Sequence, residues 1–358
     1  MNKIVFTGGG SAGHVTLNLA LIPYFLKLGW QVDYIGSVGG MEENLIKKMP
    51  TVTYHGIQTG KLRRYFSFKN FVDLVRIPIG CVQATMLIHK INPDIIFSKG
   101  GFVSFPVVIG GFINRKKIYM HESDITPGLA NKMCLPFVST FFTTFPETVN
   151  SITQKDKVEC VGPVLSDRLF NGDREKGAAH AGLDANKPTI MFIGGSLGAH
   201  SLNISVMKNL PLLLQKYQVI HIAGKMEYNP SLKREGYMQY AFVDEQLKDL
   251  MALSDVVISR AGSNSIFELA SLEKPMILVP LPNTSSRGEQ TLNAKNFVNK
   301  GYGEMIKDED VINPEKLLPL IDKVYTNRET YIQNMQTNPV RITSASALTR
   351  RIAEPENN

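Results

Sequence analysis

The sequence is short of cysteine: Cys81, Cys134 and Cys160 are the only three in 358 residues, odd in number and widely spaced. That excludes a disulfide scaffold, offers no zinc-finger spacing, and fits a reducing compartment. Long apolar runs are also missing. The most apolar stretch, Phe102 to Phe112, is broken by a proline and two glycines, and no stretch reaches the roughly 20 residues that span a bilayer. The first apolar segment, Ile4 to Phe6, runs straight into glycines without a basic leader or a cleavage site, so secretion is not expected. With 43% hydrophobic and 20% charged residues, the bias that marks disorder is absent too. What is in excess is positive charge. A formal +7 attracts anions, whether nucleic acid, phosphorylated metabolites or an acidic membrane face, without choosing among them.

A chain of this length exceeds what one hydrophobic core usually organises, so two domains are expected. The pattern agrees, because the chain opens twice in the same way. KIVFT reads as a buried strand leading into GGGSAGH and an apolar-periodic helix from Val15 to Leu28; PTIMFI leads into GGSLGAHSLN and a second helix. Gly9-Gly10-Ser11-x-Gly13 echoes Gly194-Gly195-Ser196-x-Gly198. WQVDYIG, PDIIFSKGG and KKIYMHES in the first half, and YQVIHIAGK, YMQYAFV, DVVISRAGS and PMILVPLP in the second, each close on glycine or small polar residues. The expectation is an α/β protein with two Rossmann-like domains, 1–163 and 164–340, whose parallel sheets face each other across a cleft. A linker is placed near Gly162 to Asn171, and a tail, 341–358, is considered as packing back on the first domain.

GGGSAGH satisfies G-x-G-x-x-G at Gly8, Gly10 and Gly13. A nicotinamide site also needs an acidic residue at the end of the second strand, where VDYIGS offers Gly36 and Ser37 and no carboxylate follows until Glu42, which demotes a dehydrogenase. A phosphate or another oxyanion on the turn is the better expectation. His14 follows directly. A lone histidine is usually a surface or cap residue, but beside a glycine turn it becomes a candidate general base. In SRAGSNSIFELA, Glu268 interrupts an apolar helical stretch; it either offsets the helix dipole or accepts both hydroxyls of a ribose. The loop NTSSRGEQTLNAKNF carries Arg287, Glu289, Gln290 and Asn293, a composition often merely solvated but suited to sugar hydroxyls. His121-Glu122 lacks the second histidine of HExxH, and Asp308-Glu309-Asp310 reads as a solvated stretch, so no metal and no cofactor are expected. From Gly60, Arg63, Arg64 and Lys69 interleave with Phe66, Phe68 and Phe71, which suits an anionic membrane surface; core packing accounts for about half of such aromatics. A nucleic-acid partner would need stacking platforms on a suitable fold, and none is evident.

Taken together and in order, GGGSAGH, FSKGGFVSFP, HESDITPGLANK, GGSLGA, SRAGSNSIFELA and SRGEQTLNA resemble the MurG family, over about Lys3 to Lys300. The resemblance implies a GT-B fold and a peripheral enzyme at the cytoplasmic face of the membrane. Its implied reaction is transfer of N-acetylglucosamine from UDP-GlcNAc to lipid I, with inversion, to give lipid II in peptidoglycan synthesis, next to other cell-wall synthesis proteins. It implies that Ser196 contacts the diphosphate, that Ser263, Asn264, Ser265 and Glu268 hold uridine and ribose, and that Gln290 and Asn293 hold the sugar. Val243 would line the uracil pocket through its backbone, and Ser11, Ala12 and Gly13 would face sugar and acceptor. His14 is the candidate base, with Asp124 and its neighbour Glu122 as further candidate catalytic groups. Two departures stand out: Asp124 replaces an asparagine common in the family, and Ser166 replaces an arginine, with Arg168 two residues on. Ser166 and Asp124 are kept as expected donor contacts. A UDP-GlcNAc 2-epimerase could use the same scaffold and donor without a membrane, and a non-catalytic adaptor could bind membrane without turnover.

Overall fold

The computed structural model describes residues 1–60, 68–194, 198–282 and 288–354, with backbone alone for Ala12, Asp167 and residues 68–75. It divides into two α/β units: Met1–Val164 joined by the segment from Ile342, and Leu165–Arg341.

The first unit runs β1 (Lys3–Thr7), α1 (Thr16–Lys27), β2 (Gln31–Ser37), α2 (Met41–Ile46), β3 (Val52–Ile57), α3 (Phe68–Ile91), β4 (Ile95–Ser98), α4 (Ser104–Ile113), β5 (Lys117–Glu122), α5 (Leu129–Cys134), β6 (Thr140–Thr143) and β7 (Val158–Cys160). Its seven strands are parallel, in the order β3-β2-β1-β4-β5-β6-β7. A parallel sheet is covered on both faces, so its strands read as continuous apolar runs whose alternate side chains enter opposite cores. Ile4, Phe6, Phe97, Tyr119 and Phe142 pack on one side with Leu21 and Phe25 of α1. Val5, Ile96, Ile118, Met120 and Phe141 pack on the other with Val107 and Val108 of α4.

The second unit runs α6 (Arg174–Ala181), β8 (Thr189–Ile193), α7 (His200–Leu213), β9 (Gln218–Ile222), β10 (Tyr237–Tyr240), α8 (Leu247–Leu253), β11 (Val256–Ser259), α9 (Ser263–Ser271), β12 (Met276–Leu278), α10 (Glu289–Asn299), β13 (Gly303–Met305), α11 (Pro314–Thr326) and α12 (Arg328–Thr337). Six parallel strands lie in the order β10-β9-β8-β11-β12-β13. The chain then returns to the first unit. Thr343 pairs with Val164, Ser344 caps α13 (Ala345–Ala353) by accepting the Ala347 N–H at 3.1 Å, and α13 lies on α1. Leu348 and Ile352, fully buried beside Phe25, hold it there; each stabilises the contact by about 2–3 kcal/mol.

In both sheets the strand order reverses once, between β1 and β4 in the first unit and between β8 and β11 in the second. Open α/β sheets bind ligands at the carboxyl ends of the strands at such a reversal. GGGSAGH and KGG follow the first pair, and GGSLGA and RAGS follow the second.

Candidate active site

In the first unit, the chain leaves β1 through Gly8, Gly9 and Gly10 and enters a short 3-10 turn, Ala12–His14. Gly10 takes φ 81°, a left-handed value that suits glycine. Gly9 is needed for space, since a Cβ there would lie 2.3 Å from the Glu42 carboxylate. Glu42, fully buried on α2, accepts the Ser37 N–H at 2.9 Å and the Gly10 N–H at 3.3 Å. The Gly10 amide is thus given to a side chain of the protein itself, which leaves the amides further along the turn for any oxyanion bound there.

His14 closes the other side of the turn, with Nδ1 3.0 Å from the Gly9 carbonyl oxygen and 3.1 Å from Ser11 Oγ. A carbonyl oxygen only accepts, so Nδ1 carries the proton and Nε2 of the neutral ring carries the basic lone pair. The turn after β4 presses against this arrangement. Gly9 N–H donates to the Gly100 carbonyl at 3.3 Å, and a Cβ on Gly101 (φ 89°) would sit 2.2 Å from Gly9 O and 3.1 Å from His14 Nδ1. Beneath, Asn18 donates to Thr7 O, and Tyr34 donates to Gly8 O at 2.7 Å. Burial raises the Tyr34 phenol well above its ordinary range. Ser11 and Gly13 are exposed, and the side chain of Ala12 lies outside the described residues.

After β5, Glu122 is 6% exposed, and its carboxylate accepts three N–H groups: Asp124 N at 3.0 Å, Gly128 N at 2.9 Å and Asn131 Nδ2 at 2.9 Å. With these donors the Glu122 carboxylate braces the loop from Asp124 to Asn131. Lys99, at the end of β4, is 3% exposed and donates to Ser123 Oγ at 2.6 Å. Burial lowers its pKa, against the opposing pull of Glu122 and Asp124. Asp124 is half-buried within reach of that ammonium. His121 is held neutral, its pKa pushed far down by burial and then by Lys99, and its ring nitrogens meet no hydrogen-bond partner among the described residues.

In the second unit, Ser263 begins α9, whose first turn carries no acidic residue, so the positive end of the helix is not neutralised from within. Ser263 is 6% exposed, Asn264 is exposed and Ser265 half-buried. One turn along, Glu268 is partly buried, and burial raises its pKa to about 7. Its carboxyl group takes no hydrogen bond among the described residues. Gln290 Oε1 accepts the Leu281 N–H at 3.1 Å, which aims its NH2 group away from that strand end. Asn293 is fully buried, and its amide donates to Ala261 O at 3.3 Å, which supports the RAGS turn from behind. Val243, in the loop after β10, is 9% exposed. Ser166 is exposed and accepts the Arg168 N–H at 3.3 Å, in a turn that packs on α8. Ser196 and Arg287 lie outside the described residues.

The reading of residues 308–310 as solvated surface fits the exposed Glu309 and is corrected for Asp308. Asp308 pairs with the Arg260 guanidinium and accepts the Ser201 hydroxyl at 2.6 Å; Arg260 also reaches Ser201 Oγ at 2.8 Å and Val279 O at 3.2 Å. Arg260, 13% exposed, thereby ties the strand end after β11 to the start of α7. Below it, fully buried His221 bonds Asn203 at 2.8 Å and Tyr237 at 2.9 Å, and burial lowers its pKa to about 4. None of Glu42, Lys99, Arg260, Asn203 or His221 was singled out from sequence. The only signal was that polar residues recur next to glycine turns.

Of the expected membrane residues, Arg63, Arg64 and Phe66 lie outside the described residues, as do the side chains of Phe68, Lys69 and Phe71 on α3. Further along the same helix, Val82 and Met86 are 54% and 67% exposed, and Phe112 and Ile113 at the end of α4 are 54% and 59% exposed. Asn114 donates to Thr85 O at 3.1 Å, which brings the two groups side by side. Phe112 packs edge-on against Phe137, over an open pocket of about 590 Å³ rimmed by Arg115, Lys116 and Lys157. No helix among the described residues is long and apolar enough to cross a membrane.

Comparison with known proteins places the chain. The glycosyltransferase family 28 N-terminal domain matches residues 4–143 and the family 28 C-terminal domain matches 189–351. A Bacillus cereus protein named UDP-N-acetylglucosamine--N-acetylmuramyl-(pentapeptide) pyrophosphoryl-undecaprenol N-acetylglucosamine transferase 2 is 49% identical over 92% of this chain and 94% of its own length. The crystal structure of Acinetobacter baumannii MurG superposes with a TM-score of 0.76 at 21% identity, covering 99% of this chain and 100% of that one. A putative UDP-N-acetylglucosamine 2-epimerase from Listeria monocytogenes also shares the fold, with a TM-score of 0.63 at 11% identity over 98% of this chain and 94% of that one. Fold alone therefore does not separate transferase from epimerase, whereas the sequence relatives do. This chain is a two-domain GT-B protein of glycosyltransferase family 28 and belongs to its MurG family.

Proposed function

We infer that this protein transfers N-acetylglucosamine from UDP-GlcNAc to undecaprenyl-pyrophosphoryl-N-acetylmuramyl-pentapeptide, forming a β-1,4 link with inversion. The observation that carries the reading is the 49% identity, across nearly the whole chain, to a protein named for that reaction. The chemistry of both switch points agrees with it. In the second unit, α9 presents an N-terminus to the diphosphate, and the Glu268 carboxylate accepts the two ribose hydroxyls. Ser263 to Ser265 contact the nucleotide, the Gln290 NH2 donates to a sugar hydroxyl, and Ser196 and the Val243 backbone complete the donor site. Charge developing on the departing UDP is met by fixed amide dipoles, with no metal required.

In the first unit, His14 is the base. Its tautomer leaves Nε2 able to take the proton of the acceptor hydroxyl as that oxygen attacks the anomeric carbon and UDP departs from the opposite face. Asp124, close to Lys99 on the loop after β5, is the alternative base. The exposed Val82, Met86, Phe112 and Ile113, with Arg115, Lys116 and Lys157 at their rim, rest on the anionic cytoplasmic face of the membrane, where the lipid acceptor resides.

Incubation with labelled UDP-GlcNAc and a lipid I analogue tests the reaction: label is expected in the lipid phase. Release of N-acetylmannosamine without acceptor would instead indicate the epimerase, and vesicle binding without turnover an adaptor.

A further inference from the structure

Four atoms of one peptide unit connect two groups that sequence does not connect. The peptide between Gly9 and Gly10 gives its N–H to Glu42 Oε2 at 3.3 Å and its C=O to His14 Nδ1 at 3.0 Å. No cis peptide occurs among the described residues, so the N–H and C=O point in opposite directions and the three groups stand in line: carboxylate, amide, imidazole. Glu42 is fully buried, and its other oxygen is fixed by Ser37 N–H at 2.9 Å. Gly9 and Gly40 flank it so closely that a Cβ on either would come within 2.4 Å of the carboxylate. A side chain enclosed in this way cannot turn away from the Gly10 amide without moving the turn.

We propose that Glu42 is a positioning residue for the His14 base, acting through the Gly9–Gly10 peptide. This rests on the reading of His14 as the base. A carboxylate accepting from an amide N–H polarises that amide, and its carbonyl oxygen becomes a stronger acceptor, as in any chain of hydrogen bonds. A stronger acceptor at Nδ1–H fixes the tautomer and stabilises the imidazolium that forms when Nε2 takes the proton. It is the role a carboxylate plays when it contacts a catalytic histidine directly, with one peptide interposed. The other titratable groups packed around the turn do not supply this. Tyr34 from β2 donates to Gly8 O and stays protonated, Tyr54 from β3 faces Glu42 but donates to Ser37 O at 2.7 Å and stays protonated, and Lys99 after β4 is engaged with Ser123, Glu122 and Asp124.

The test uses the full-length enzyme, with kcat followed from pH 5 to 8 against UDP-GlcNAc and a lipid I analogue. Glu42→Gln keeps the shape but offers only one accepting oxygen and no charge. We expect kcat to fall on the order of 10-fold, the effect typical of losing a second partner of a functional histidine. The acid limb of the profile should also move down by about half a unit to one unit, because the imidazolium loses its stabiliser. The KM for UDP-GlcNAc should not change. His14→Ala should remove the acid limb, and Glu42→Gln added to it should have no further effect on kcat. If His14→Ala leaves turnover intact, the base assignment falls and the relay with it. If His14→Ala abolishes turnover while Glu42→Gln keeps the wild-type kcat and acid limb, the relay alone is refuted. Should Glu42→Gln fail to fold, the nitrogen resonances of labelled His14 in the unaltered enzyme decide: a proton on Nδ1 supports the relay, and a proton on Nε2 overturns it.

Discussion

Glu268 makes the affinity for the donor depend on pH in a direction fixed by its surroundings. Burial raises its pKa from 4.5 to about 7, so it is only partly ionised at neutrality. A ribose needs it ionised, because a carboxylate can accept from both hydroxyls whereas a carboxylic acid must give up one accepting position. With a pKa near 7, the carboxylate fraction is about nine-tenths at pH 8 and about one-tenth at pH 6. The apparent dissociation constant of UDP-GlcNAc should therefore rise roughly 10-fold between these values, since only the ionised fraction is competent. Binding must also expel a proton in the middle of that range. Isothermal titration in two buffers of different ionisation enthalpy reads both effects. UDP-GlcNAc is used in place of UDP, whose terminal phosphate itself titrates at about pH 6. Glu268→Gln should bind more weakly at pH 8 and show no slope. Stability gives an independent check of sign: a carboxyl whose folded pKa is raised binds more protons in the folded state, so stability falls as pH rises from 4.5 to about 7, by on the order of 3 kcal/mol. Glu268→Gln should remove that fall. A donor affinity that is flat from pH 6 to 8, or a Glu268→Gln protein with the wild-type slope, would refute the assignment of this carboxyl to the ribose.

Other expectations follow from groups that hold the turns. His221, lowered from 6.5 to about 4 by burial, contributes stability that is intact above pH 6.5 and lost as pH falls toward 4, on the order of 3 kcal/mol in all; thermal melts of wild type and His221→Phe at pH 7 and pH 5 should show a smaller pH dependence in the variant. Gly101→Ala places a methyl group against Gly9 O at a left-handed φ and should cost about 1–3 kcal/mol, with kcat falling more than donor affinity because His14 is displaced; an alanine variant with normal kcat would contradict the tight contact. Asp308→Asn should weaken the clamp on Arg260, lower the melting temperature by an amount equivalent to about 1–3 kcal/mol, and weaken donor binding at the same strand end. Met86 and Phe112 changed together to serine should reduce binding to anionic vesicles without altering UDP-GlcNAc affinity, and undiminished vesicle binding would remove that face from the membrane proposal.

The scaffold was legible where a buried parallel strand writes an unbroken apolar run and stops at glycine. KIVFT and PTIMFI do so, and they open the two units. The strands that escaped do not. VTYHGI at β3 is an edge strand with a half-exposed face, and TFFT, VEC and GEM are three or four residues long, too short for any period to register. The site was legible only as far as its motifs, because a polar residue beside a glycine turn can either touch a ligand or hold the turn, and sequence writes both alike. Burial and hydrogen-bond satisfaction separate them. Glu122 meets three N–H groups and Asn293 is fully enclosed against Ala261 O, so both side chains hold turns. Glu42 and Asp308 brace turns from 32 and 48 residues away, a reach that no local pattern encodes. Glu268 is the contrast. It is a carboxyl group drawn out of water, raised toward neutrality, and given no partner by the described residues. A fold tolerates that cost only where something else completes the group, and two adjacent hydroxyls of a bound nucleotide would do so.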